Sequence, residues 1–172
     1  MITIRRAVLP GDPAEAFVLD AIKGAYLDAA TGGRDAEEPR EFAHALVRSM
    51  LVQAHPPKPS PQLVRALHDI VREPLRHGGR LWIASPVDDP TLYLGWICAS
   101  PEVLHFVYVK RKLRRQGIAG ALLAHATSEF EAPFKTAAVM TWPWVEEWLA
   151  RNGVHYAPTR AYEQEQETRR AG

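Results

Sequence analysis

Between Val107 and Leu123 the chain passes from a run of branched residues, through five basic side chains in the six positions Lys110 to Arg115, to a glycine opening an apolar-faced helix. No other segment restricts the fold as much. A strand that feeds a helix through so short a turn aims unpaired backbone N–H groups and the positive end of the helix dipole at one point. That point attracts phosphate. Gly117 lets the backbone approach an anion with no side chain in the way, and Ala119 and Gly120 keep the first turn small. The basic run matches a ligand carrying several negative charges, with a solvated basic turn before an ordinary helix as the bland alternative.

The rest of the chain sets the frame for that segment. With 172 residues, 47% of them apolar, it fits one domain with one core. Lysine and arginine number 21 against 20 acidic residues, and this near balance argues against a nucleic-acid coat protein or an acidic disordered chain. Cys98 is the single cysteine, which excludes an internal disulfide framework and a cysteine-rich zinc site and fits a reducing, cytoplasmic compartment. No metal is expected. The start, Met-Ile-Thr-Ile-Arg-Arg, has no apolar signal core, and no apolar stretch approaches the roughly 20 residues of a membrane span, so no membrane partner is expected.

Ile2 to Val8 alternate as a first strand, followed by a helix start in which Asp12 caps, Pro13 takes the first helical position and Glu15 supplies a capping-box acid. Gly32 and Gly33 end that helix. Ala43, Leu46, Val47, Met50 and Leu51 share one helical face and predict a second helix after Pro39. The run from Pro56 to Pro61 reads as a stiff loop that starts a third helix, capped by Ser60, with Val64, Leu67 and Val71 inward and Gly78 and Gly79 at its end. Leu81 to Ala84, Leu92 to Ala99 and Val103 to Lys110 then have the spacing of an antiparallel meander. A helix over Gly117 to Glu129, a strand over Thr136 to Thr141, a short helix over Pro143 to Asn152 and a strand over Val154 to Ala157 complete the order. The class is α+β (mixed α/β), with helices on a central sheet. Residues 1–162 read as one domain, with an extra helix at about 61–77 and a charged tail at 163–172.

The spacing Arg114-x-x-Gly117-x-Ala119, preceded by Val107-x-Val109 and followed by Leu122-Leu123, resembles the acetyl-CoA signature of the GNAT superfamily of N-acetyltransferases. The order of elements over most of the chain is similar too, as is Trp148-Leu-Ala-Arg-Asn-Gly153-Val to that family's last helix and the turn after it. The resemblance implies a mostly antiparallel twisted sheet of about six strands flanked by helices. It implies acetyl-CoA as cosubstrate, an amine-bearing acceptor, and a cofactor-binding set of Val107, Tyr108, Val109, Arg114, Arg115, Gln116, Gly117, Ile118, Ala119 and Gly120. Within that set, the amides of Arg115, Gly117, Ala119 and Gly120 would hold the pyrophosphate. The backbone of Val107 and Val109 would meet the acetyl carbonyl and the pantetheine, where the strand from Thr136 splays away.

For the proton of the acceptor amine, period-2 alternation places Val103, His105, Val107 and Val109 on one strand face, so His105 is the candidate base, directly or through a water. Its position also looks like that of a catalytic histidine of serotonin N-acetyltransferase, a member of the family. A strand histidine hydrogen-bonded in the core is the alternative. The tyrosine that the family often supplies as acid is Leu149 here and the asparagine after its fifth strand is Trp142, leaving Tyr156 as the nominee for the acid. Trp142 and Trp144 are candidate walls of the acceptor pocket. Asp35, Glu37, Glu38 and Glu41 either attract a cationic amine or form a solvated helix start. His125 and Cys98 are expected to be structural, as are Trp82, Trp96 and Phe106. The extra helix shapes the acceptor side or a subunit contact, with a homodimer left open. The expected activity is acyl transfer of groups other than aminoacyl; the alternatives are a CoA-binding module without catalysis and, using the basic loop, a nucleic-acid-associated protein.

Overall fold

The computed structural model describes residues 1–31, 51–52, 58–59, 61–131, 133–137 and 149–156. Six strands form one sheet: β1 (Ile2–Ala7), β4 (Arg80–Pro86), β5 (Gly95–Ser100), β6 (Val103–Val109), β7 (Thr136–Ala137) and β8 (His155–Tyr156), side by side in that order. The pairings from β1 to β6 are antiparallel, as the meander spacing predicts, and β6–β7 and β7–β8 are parallel. The fold is therefore the expected mixed α+β arrangement. Helix α1 (Glu15–Thr31) and helix α2 (Pro61–Arg76) cover one face, and α3 (Ile118–Phe130) covers the other. Among the described residues no helix is long and apolar enough to cross a membrane.

Each face has its own core. Val18, Ile22, Val71, Leu81, Ile83, Trp96 and Cys98 are buried under α1 and α2, while Trp82, Ile97, Leu104, Leu122, Leu123 and Leu149 are buried under α3. Successive residues of β4 and β5 alternate between these two sets, as a strand covered on both faces requires. Each fully buried aliphatic or aromatic side chain contributes about 1.5–3 kcal/mol. His125 meets the Trp82 ring edge-on at 6.1 Å between centroids, which places it in the α3 packing.

The start of α1 follows its sequence signals with a shift of two residues. Asp12 accepts a hydrogen bond from Ala14 N–H at 2.8 Å, Glu15 accepts from Gly11 N–H at 2.9 Å, and Arg5 holds Asp12 through both guanidinium nitrogens. These bonds hold the carboxyls of Asp12 and Glu15 below the usual range. Glu15 also accepts from Arg72 at 3.1 Å, tying α1 to α2.

The helix expected after Pro39 falls mostly outside the described residues, but Leu51 does not belong to it. Strand β2 (Leu51–Val52) pairs antiparallel with β3 (Lys58–Pro59). Proline fixes φ in the extended range and biases the residue before it the same way, which suits Lys58 and Pro59 to a strand where a bare loop was expected. Strand β5 starts at Gly95 rather than Leu92, because Leu92 N–H closes a turn onto Asp89 C=O at 3.2 Å. Ser60, the acidic stretch 35–41, Trp142, Trp144 and the tail from 163 lie outside the described residues.

Candidate active site

Strand β6 carries a correction to the sequence reading. In its ladder with β5, Ala99 faces Leu104 and Cys98 faces Phe106, so three residues of β6 oppose two of β5 and His105 is the extra one. An inserted residue breaks simple alternation. Leu104, Val107 and Val109 all belong to the core under α3, whereas Phe106 and Tyr108 pack under α1 and α2. Parity counted from Val103 to Val109 therefore does not place His105 with the two valines. The ring is 4% exposed, and its Nε2 lies 2.7 Å from Ser100 Oγ. Burial lowers its pKa to about 4, so it is neutral at physiological pH.

Beyond the bulge, the backbone groups of β6 can be assigned. Lys110 N–H donates to Leu94 C=O at 3.0 Å, which makes residues 94 and 110 a hydrogen-bonded pair. Pairs alternate along an antiparallel ladder, so Trp96–Tyr108 is hydrogen-bonded while Gly95–Val109 and Ile97–Val107 turn their amides and carbonyls away from β5. They face the side of β7. Among the described residues β7 pairs with β6 only at Val103 and Leu104, so the Val107 and Val109 groups face a side without a described ladder. Arg114 Nε donates to Val109 C=O at 3.3 Å, joining the loop to this edge. Gly95 permits the close approach of β5 to β6: a Cβ there would lie 2.5 Å from Tyr108 C=O.

After Val109 the chain makes a 3-10 turn over Arg111–Leu113 and enters α3 through two left-handed residues, Arg115 with φ 65° and Gly117 with φ 80°. Gly117 is the N-cap and supplies no side-chain bond to the first turn. A Cβ at Gly117 or Gly120 would meet nothing within 4 Å, so both positions border open space. The left-handed turn leads into the helix N-terminus, where backbone N–H groups lack intrahelical partners, and Lys112 and Arg115 in the preceding loop are exposed. Lys110 holds its ammonium 5.1 Å from the Phe17 ring centroid. From Gly120 a cavity of about 430 Å³ continues along α3, past Leu123, Ala124, Thr127 and Asn152.

The structure thus brings Val107, Val109 and Arg114 to Gly120 to one end of β6, with Tyr108 facing the α1 side. Tyr156 lies in β8, two strands from β6 in the sheet order, where its backbone pairs with Ala137 of β7. Leu149, at the position where the resemblance would place a tyrosine, is 1% exposed and part of the core. Sequence reasoning missed Ser100 as the partner of His105. Ser100-Pro101 signals a turn, but nothing local marks a bulge four residues later.

No protein-family model matches the sequence, and no curated protein does. Solved structures similar to this chain include a protein assigned to the GNAT acetyltransferases from Desulfovibrio desulfuricans, at 18% identity over 89% of this chain and 84% of that one, with TM-score 0.48. A predicted acetyltransferase from Clostridium acetobutylicum, solved with acetyl-CoA, is 12% identical over 89% of each chain with TM-score 0.48. The enzyme AAC(6')-Iy, in complex with the bisubstrate analogue CoA-S-monomethyl-acetylneamine, is 13% identical over 90% of each chain with TM-score 0.40. At these identities and TM-scores the functional reading is left to the chain's own site.

Proposed function

We propose that this protein is an acetyl-CoA-dependent N-acetyltransferase acting on an amine of a small molecule or peptide. The observation that carries the reading is the juxtaposition of an uncapped helix N-terminus, open at Gly117, with the outward-turned edge at Val107 and Val109. The first suits a pyrophosphate and the second an amide-bearing arm that ends in a thioester. The backbone amides of Arg115, Gly117, Ala119 and Gly120 would take the pyrophosphate, while Gln116 and Ile118 complete the turn. Val107 N–H would polarise the thioester carbonyl. The neutral amine attacks the carbonyl carbon, the C–S bond breaks with its electron pair leaving on sulfur, the amine proton passes to solvent, the thiolate takes a proton in turn, and the products are the amide and free CoA thiol.

The largest catalytic contribution falls to the backbone donor, since one preorganised donor at a developing oxyanion is worth about 2.7–4 kcal/mol. Of the two routes for the proton, water fits the geometry better than the His105 ring. A base whose conjugate acid has a pKa of about 4 has little driving force at neutral pH, and its Nε2 is already engaged with Ser100. Tyr156 remains the proposed acid only by its place in the sequence. A CoA-binding module without transfer is the second reading, favoured by the burial of Leu149 where the resemblance would put an acid. Cytoplasmic location and a single domain over 1–162 belong to the same proposal.

Thermal unfolding with and without acetyl-CoA tests the shared part. Ligand at 100 times its Kd stabilises by about 2.7 kcal/mol, and no rise in Tm at saturating acetyl-CoA would remove both readings. Release of free thiol across amines, polyamines, amino acids and peptide N-termini then separates the enzyme from the module.

A further inference from the structure

The end of the β5–β6 hairpin gathers four unusual features in six residues. Ser100 faces Val103 across a two-residue turn, and Glu102 in that turn is held at φ 64°, a left-handed conformation that costs a non-glycine residue about 1–2 kcal/mol. Its carbonyl accepts two hydrogen bonds, from Lys135 N–H at 2.8 Å and Thr136 N–H at 3.1 Å, and its carboxylate pairs with the Lys135 ammonium. Lys135 C=O in turn accepts from His155 N–H at 3.0 Å, so the hairpin end fixes the starts of both β7 and β8. Immediately after the last described β6–β7 pair, Leu104–Ala137, comes the bulge at His105. A buried imidazole at that bulge reaches back across the hairpin to Ser100.

A bulged residue lacks a cross-strand partner and lets its strand bend and twist. Here a side-chain hydrogen bond, Ser100–His105, ties the bulge back to the end of β5. Everything the proposed transfer needs from β6, the Val107 amide above all, lies downstream of that bend.

We propose that the Ser100–His105 hydrogen bond is a positioning device: it locks the bulge of β6 against β5 and so sets where the Val107 N–H points. His105 then acts through the backbone and takes no proton from substrate. Its burial and its neutral state at physiological pH agree with this role. The consequence for catalysis rests on the acetyltransferase reading above; the locking of the bulge does not.

The two parts are tested separately. For the lock, amide hydrogen exchange is measured on the protein alone for the native chain, Ser100→Ala, Ser100→Thr and His105→Gln. The expected result is exchange roughly tenfold faster at Phe106 and Tyr108 in Ser100→Ala, with native rates restored in Ser100→Thr and with strand β1 unchanged in all. Unchanged exchange at Phe106 and Tyr108 in Ser100→Ala would overturn the lock, whatever the protein binds.

For catalysis, Ser100→Ala, His105→Gln and the double variant are compared over pH 5.5 to 9. A misplaced reacting group costs up to about 100-fold, so each single variant should lose about 10- to 100-fold in kcat, the double no more than the worse single, with the pH profile unmoved. An ionisation that disappears from the profile in His105→Gln, with Ser100→Ala near native activity, would return His105 to the role of base and refute positioning. Absence of an acetyl-CoA Tm shift in the native protein would sink the acetyltransferase reading while leaving the exchange result to decide the lock.

Discussion

Burying a neutral imidazole makes stability depend on pH in a window that no carboxylate shares. The folded chain holds His105 with a pKa of about 4, against 6.5 for the unfolded chain. Below pH 6.5 the unfolded state binds a proton that the folded state refuses, so stability falls as pH falls, and the loss is complete once the folded state titrates near pH 4. The gap of about 2.5 pH units, at 1.36 kcal/mol each, is worth about 3 kcal/mol. Linkage gives a loss of about 1 kcal/mol at pH 5.5 and approaching 3 kcal/mol at pH 4.5, relative to pH 8. Urea unfolding of the native protein and of His105→Gln at pH 8, 6.5, 5.5 and 4.5 measures it. Glutamine does not titrate, so the difference between the two stability curves should narrow in His105→Gln's favour by these amounts as pH falls. Whatever the substitution costs at pH 8 is a constant offset. The depressed carboxyls Asp12 and Glu15 lose their contributions as pH falls below about 4.5, and they do so in both proteins and cancel. Parallel curves for the two proteins from pH 8 to 4.5 would refute the burial argument and with it the neutral His105.

Other substitutions test the remaining parts. Gly117→Glu should abolish the acetyl-CoA-induced Tm rise, since it sets a carboxylate at the proposed pyrophosphate site at a φ of 80° that side chains resist, while circular dichroism shows the fold intact. Gly95→Ala should destabilise by about 1–3 kcal/mol in urea unfolding, because its Cβ would lie 2.5 Å from Tyr108 C=O and backbone must move. Asp12→Ala removes the Ala14 cap and the Arg5 pair and should cost about 1 kcal/mol at pH 7; a smaller deficit at pH 3 than at pH 7 is the check on its sign. Arg114→Ala should raise KM for acetyl-CoA several-fold with a smaller change in kcat, read from steady-state thiol release.

Local chemistry determined much of this protein before any folding. The cap at Asp12 and Glu15, the meander spacing, the glycine at the head of α3 and the basic loop each depend on residues within a few positions of one another, so periodicity and turn chemistry expose them. The same holds for Gly117, whose left-handed φ only glycine takes up freely. Tertiary structure decided what depends on partners distant in sequence. Leu51 left its helical pattern to pair with Pro59, and Glu102 turned its carbonyl to the amides of Lys135 and Thr136, more than thirty residues away. His105 shows the division most clearly. Alternation along β6 assigns it a face only if every residue has a cross-strand partner, and one residue without a partner in the ladder reverses the count for all that follow. That register is a property of two strands together, and so the sequence of β6 by itself places an imidazole near Val107 while the pairing with β5 decides that it is buried, neutral and bonded to Ser100.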